Sequence, residues 1–132
     1  MTAAVLEHVN VTVSDPLATA NRLCAMFGWH IRWQGEAIHG GHSIHVGGKD
    51  SYIAVYSRGT PPGDAPESYS TRGGLNHIAV TVEDLDRTEE RVIAAGFTPH
   101  THADYEPGRR FYFDDADGIE FEVVSYGTEN DA

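Results

Sequence analysis

Near the start of the chain apolar and polar residues alternate. Val9, Val11 and Val13 interleave with His8, Asn10 and Thr12, a period of two that predicts a strand with one apolar face. The period then changes. Leu17, Ala20, Leu23, Cys24 and Phe27 recur at helical spacing, Asp15 can cap, Pro16 suits the first helical position, and Gly28 ends the run. Three short strands follow, at about 29–35, 42–48 and 51–57, joined through Gly40-Gly41 and Gly47-Gly48.

The same order then returns. Residues 75–84, LNHIAVTVED, match residues 6–15, LEHVNVTVSD, at six of ten positions, including His8/His77, Thr12/Thr81 and Asp15/Asp84. A second helix is expected from the Asp84 cap to Gly96, with Leu85, Thr88, Val92 and Ala95 as its stripe. Strands are expected at about 97–102, 109–114 and 119–125, with Asp117-Gly118 turning the last hairpin. Residues 58–74 hold three prolines and four glycines and form a linker. The expectation is α+β: two βαβββ modules in tandem, about 1–57 and 75–126, in one domain spanning 1–132. They would form an incomplete, curved mixed-sheet barrel with helices outside.

Alternation also assigns faces. If the valines of each opening strand pack on a helix, the histidines lie on the opposite side. By the same rule Tyr52 and Tyr56, Arg110 and Tyr112, and Glu120 and Glu122 share that side, together with His45. A sheet curved around these side chains makes a polar concavity suited to a small molecule. Tyr52, Tyr56, Arg110 and Glu120 are therefore candidate substrate-binding residues. His45 is a candidate acid-base group, because an imidazole titrates near neutrality.

The repeat places His8 and His77 at equivalent positions. Aligning 52–57 with 120–125 pairs Glu122 with Ala54. Of four symmetric positions, three then carry metal-ligand chemistry: His8, His77 and Glu122. Two imidazoles and one carboxylate leave coordination positions open, which points to Fe(II), with Mn(II), Zn(II) and Ni(II) as competitors. His39 and His42 are expected to be loop and strand-edge residues rather than a second metal site.

Charge and cysteine content narrow the partners. With 20 Asp+Glu against 9 Lys+Arg the formal net charge is -11, which repels nucleic acid and anionic membrane surfaces. No apolar run is long enough to span a bilayer. The N-terminus has no charged region of the kind that opens a signal peptide, so a cytoplasmic location is expected. The single cysteine, Cys24, excludes an internal disulfide and reads as a small buried hydrophobe.

Three segments carry a resemblance. LEHVNVTVSD, LNHIAVTVED and RRFYFDDADGIEFEVVS are similar to the first ligand strand, the second ligand strand and the ending of the vicinal oxygen chelate superfamily. That superfamily includes glyoxalases, bleomycin-resistance proteins and extradiol dioxygenases. In its ending the ligand glutamate comes four residues after the turn glycine, as Glu122 follows Gly118 here. The resemblance implies a metal enzyme, and Tyr112 stands where extradiol enzymes place an active-site tyrosine. Glyoxalase I and the epimerases add a fourth ligand where this chain has Ala54. Fosfomycin-resistance enzymes carry an arginine after the ligand glutamate, and residues 125–132 hold no basic residue.

The expected function is therefore a divalent-metal-dependent, dioxygenase-like oxidoreductase acting on a small substrate with adjacent oxygens. Tyr112 and His45 would be its catalytic residues. The alternatives are a glyoxalase-like lyase or isomerase, and a non-catalytic small-molecule-binding resistance protein. Each module has an edge strand and the linker is long, so a homodimer is expected, with modules paired within or between chains.

Overall fold

The computed structural model describes residues 1–105 and 108–126, with the side chain of Tyr105 left aside. The chain divides into two compact units, residues 1–63 and 64–132. Each contains one βαβββ module, so the α+β expectation holds. No helix among the described residues is long and apolar enough to cross a membrane.

The first unit runs β1 (His8–Thr12), α1 (Pro16–Phe27), β2 (His30–Glu36), β3 (His42–Gly47) and β4 (Tyr52–Ser57). Its open sheet has the order β1-β4-β3-β2. β1 pairs parallel with β4, and the other neighbours are antiparallel. The cap forms as expected: Asp15 accepts a hydrogen bond from the Ala18 amide at 3.1 Å. Gly28 takes φ 72° and donates its amide to Cys24, the left-handed ending that glycine adopts without strain.

The buried face of α1 is rotated from the expected stripe. Thr19, Ala20, Leu23 and Met26 are buried, whereas Leu17 is half exposed and Phe27 and Cys24 are partly covered. These four pack against the sheet face bearing Ile44, Val46, Ile53 and Val55, with Val13 completing the core. Cys24 is thus less buried than expected, although what burial it has raises its thiol pKa.

The second unit runs β5 (Ile78–Thr81), α2 (Leu85–Ala94), β6 (His100–Tyr105), β7 (Gly108–Asp114) and β8 (Glu120–Ser125). Its sheet order, β5-β8-β7-β6, repeats the first, again with a parallel first-to-last pair. Leu85, Thr88 and Val92 of α2 are buried with Phe111, Phe113, Phe121 and Val123. Emptying one of these ring positions, as in Phe113→Ala, would cost roughly 3–5 kcal/mol.

β6 begins three residues later than expected. Phe97 instead closes the helix, its amide donating to Val92, while its ring stacks on Phe113 at 5.6 Å. Residues 58–74, expected to be a plain linker, include a short 3-10 turn at Ser68–Ser70.

Candidate metal centre

In the second unit, β8 sets Glu122 opposite Ala79 of β5 and Tyr112 of β7. In the first unit, β4 sets Ala54 opposite Asn10 of β1. The two registers match the repeat, so Glu122 and Ala54 are structural equivalents. Ala54 is buried and offers no donor atom.

Glu122 is 7% exposed. A buried carboxylate needs a compensating partner. Arg110, one strand away, donates from Nη1 to Oε2 at 2.7 Å. The other oxygen, Oε1, lies 3.2 Å from His77 Nε2. Donor atoms bound side by side to one octahedral ion at about 2.1–2.2 Å would stand about 3.0 Å apart. The His77–Glu122 pair therefore suits a divalent ion in both chemistry and spacing.

The far side of the His77 ring is also engaged. Its Nδ1 lies 3.3 Å from the Tyr69 hydroxyl, which donates to Glu120 Oε1 at 2.5 Å. Glu120 Oε1 is itself 3.8 Å from that nitrogen. Because the Tyr69 proton goes to Glu120, its oxygen is left to accept from Nδ1–H. With Nδ1–H so engaged, an ion between Nε2 and Glu122 Oε1 would meet the ring's lone pair, whereas without an ion Nε2–H can donate to that oxygen. The hydrogen bond to Glu120, then burial and the nearby carboxylate charge, push the Tyr69 pKa up to about 12. Tyr69 was not among the expected site residues. It is a lone aromatic in a proline- and glycine-rich segment, 51 residues from its partner, and no periodicity marks it.

The first unit presents His8 in a similar way. Its Nδ1 lies 2.8 Å from Glu7 Oε1, leaving Nε2 as the ring's available ligand atom. The ring stacks on Tyr52 at 4.8 Å, Tyr52 stacks on His45 at 4.5 Å, and Trp33 tilts against His45 at 4.9 Å. Arg32 lies over the Tyr52 ring at 4.6 Å. Burial, then the positive charge of His8 and Arg32, lowers the His45 pKa, and Glu7 opposes them. That direction favours the neutral form of the ring.

The remaining expected residues fall as follows. Tyr112 stands edge-on to His77 at 5.9 Å. Arg110 and Glu120 are engaged by Glu122 and Tyr69 respectively. Tyr56 is 8% exposed, and its hydroxyl donates to the Ile38 carbonyl at 2.6 Å, so that group serves the fold of its own unit. A hollow of about 680 Å³ in the first unit, lined in part by Asp15, Gln34, His42 and Ser57, includes none of the expected site residues.

No curated protein matches the chain. Among solved structures, a glyoxylase/bleomycin resistance protein/dioxygenase domain from Frankia sp. EAN1pec is 24% identical. It covers 94% of this chain and 98% of its own, with a TM-score of 0.79. The fosfomycin resistance protein FosX from Mesorhizobium loti is 26% identical over 98% of this chain and 97% of its own, with a TM-score of 0.71. FosX from Listeria monocytogenes, solved with Mn(II) and sulfate, is 22% identical over 94% and 93%, with a TM-score of 0.70. A family profile matches residues 5–123, and by it the chain belongs to the Glyoxalase/Bleomycin resistance protein/Dioxygenase superfamily.

Proposed function

We propose that this chain is a divalent-metal-dependent enzyme with His8, His77 and Glu122 as its ligands, acting on a small substrate with adjacent oxygens in dioxygenase-like chemistry. The observation that carries the reading is the convergence of His77 Nε2 and Glu122 Oε1 at 3.2 Å, each held from behind by Tyr69 or Arg110. The pairing of His8 with them rests on the sequence repeat and on family membership. A bound Fe(II) would supply Lewis-acid chelation of the two substrate oxygens and keep a position open for O2.

The residues of the chain do the rest. Arg110 fixes the Glu122 carboxylate so that one oxygen faces His77. Tyr69 and Glu120 hold the His77 ring in one tautomer. His45, kept neutral, accepts a substrate proton, and Tyr52 and Trp33 beside it offer flat faces to a planar substrate. Tyr112 donates a hydrogen bond to substrate oxygen. Ala54 withholds a fourth protein ligand.

A second reading is favoured by the 26% identity to FosX from Mesorhizobium loti across nearly the whole chain: a fosfomycin-resistance enzyme using Mn(II). One experiment separates the two. Anaerobic, Fe(II)-loaded protein is mixed with a panel of catechols and exposed to air while O2 uptake is followed. In parallel, Mn(II)-loaded protein is mixed with fosfomycin and followed by phosphorus NMR. Catechol-dependent O2 uptake that is slowed by Tyr112→Phe supports the first reading. Fosfomycin consumption without O2 uptake replaces it with the second. Oxygen-independent turnover of a hemithioacetal with Zn(II) or Ni(II) would instead establish the glyoxalase-like alternative.

A further inference from the structure

We infer that the second unit carries another metal site, built from His100, Asp114 and Glu120 and sharing no ligand with the centre proposed above. Their ligand atoms all lie within 4.8 Å of one another. The placement follows from strand pairing. Asp114 and Glu120 face each other directly at the mouth of the β7–β8 hairpin, and His100 pairs with Tyr112, two residues along β7. Three adjacent strands thus each contribute one donor to one end of the sheet.

The histidine is held ready for a ligand. Its ring stacks on Tyr112 at 6.3 Å, and its Nδ1 lies 2.8 Å from Thr101 Oγ1. With Nδ1–H donating to that hydroxyl, Nε2 carries the lone pair. Nε2 is shielded from solvent and makes no hydrogen bond among the described residues; Asp114 Oδ2 is near it at 3.5 Å. The ring as a whole is 39% exposed, but this one shielded nitrogen lacks the partner its desolvation calls for.

The carboxylates also call for a cation. Like charges directly opposite on neighbouring strands repel, and a divalent ion turns that repulsion into attraction. Glu120 accepts from Tyr69, but a carboxylate has enough lone pairs to accept that proton and bind an ion at once. One imidazole with two carboxylates selects a transition ion such as Zn(II) or Mn(II) over Mg(II) or Ca(II). Such an ion would tie edge strand β6 to the hairpin.

The test uses the full chain, stripped with chelator and titrated with Zn(II) by calorimetry. Nitrogen NMR of the histidine rings is recorded at each point, and circular dichroism checks the fold of each variant. Wild type is expected to take two ions per chain. His77→Ala should retain one, and adding Asp114→Asn or His100→Gln to it should weaken that ion at least tenfold. The His100 Nε2 resonance should shift in His77→Ala. If His77→Ala takes no Zn(II), the inference is overturned while the reading of the first centre stands. If its remaining ion ignores Asp114→Asn and His100→Gln, the inference is also overturned. One ion in wild type that persists in His77→Ala and depends on His100 keeps the inference and removes the first centre instead.

Discussion

Replacing Arg110 by methionine tests whether Glu122 is held as a buried ion pair. The two side chains are 14% and 9% exposed, and their contact is 2.7 Å. Exposed pairs contribute about 0.2–1 kcal/mol, whereas a charge-assisted hydrogen bond contributes about 1.5–3 kcal/mol. Removing one partner of a buried pair costs about 3–5 kcal/mol, because the other charge is left uncompensated. Arg110→Met should therefore destabilise the metal-free second unit by about 3 kcal/mol. Arg110 has other contacts as well, so the single variant overstates the pair. A double-mutant cycle with Glu122→Gln cancels those contacts and should give a coupling of about 2 kcal/mol. Urea unfolding in chelator should be followed by far-UV circular dichroism, since both tryptophans, Trp29 and Trp33, lie in the first unit and would not report on the second. Saturating Mn(II) should shrink the cost of Arg110→Met, because the ion then balances Glu122. A coupling below about 0.5 kcal/mol, the level of a surface pair, would refute the reasoning.

Three further outcomes are expected. Tyr69 should ionise near pH 12, so its contribution to stability is complete below the ordinary tyrosine value of about 10 and is lost as pH rises through 12; ultraviolet titration should show Glu120→Gln bringing one tyrosine back toward the ordinary range. His45 should titrate below the ordinary histidine value by NMR, so the unfolded chain takes up its proton first and the His45 contribution to stability falls as pH drops through that value; a His45 resonance titrating at or above it would contradict this. Light scattering should give twice the 14.4 kDa chain mass at micromolar concentration, and a monomer throughout would count against dimerisation.

The helix caps and the succession of strands and helices along the chain were legible because each rests on local chemistry. Asp15 and Asp84 cap their helices through hydrogen bonds within three residues, and Gly28 ends α1 by its own backbone freedom. The miscast details depend on tertiary packing. Leu17 and Met26 both fit a helical stripe, and only the sheet beneath α1 decides that Met26 is the one buried. Phe97 has the composition of a strand residue, yet the ring of Phe113 draws it to the end of α2. Alternation found the face that Glu122, Arg110 and Tyr112 share, but it could not tell that Arg110 pairs with Glu122. The bulge between His100 and Ala103, with Thr101 at φ 55°, breaks the period on which such reasoning depends.

The parallel pairing of first strand with last has a consequence during synthesis. His8 finds its register partner, Tyr52, only after more than forty further residues have been made, and Ile78 waits a similar stretch for Phe121. At about 5–20 residues per second, each opening strand spends roughly 2–9 s on the ribosome without its neighbour. Val9, Val11 and Val13 are then an unpaired β-prone segment in a nascent chain, open to chaperones or to the same segment on a neighbouring ribosome. Codons that slow translation between β1 and β4 would lengthen that interval, and the yield of folded protein would fall although the amino-acid sequence had not changed.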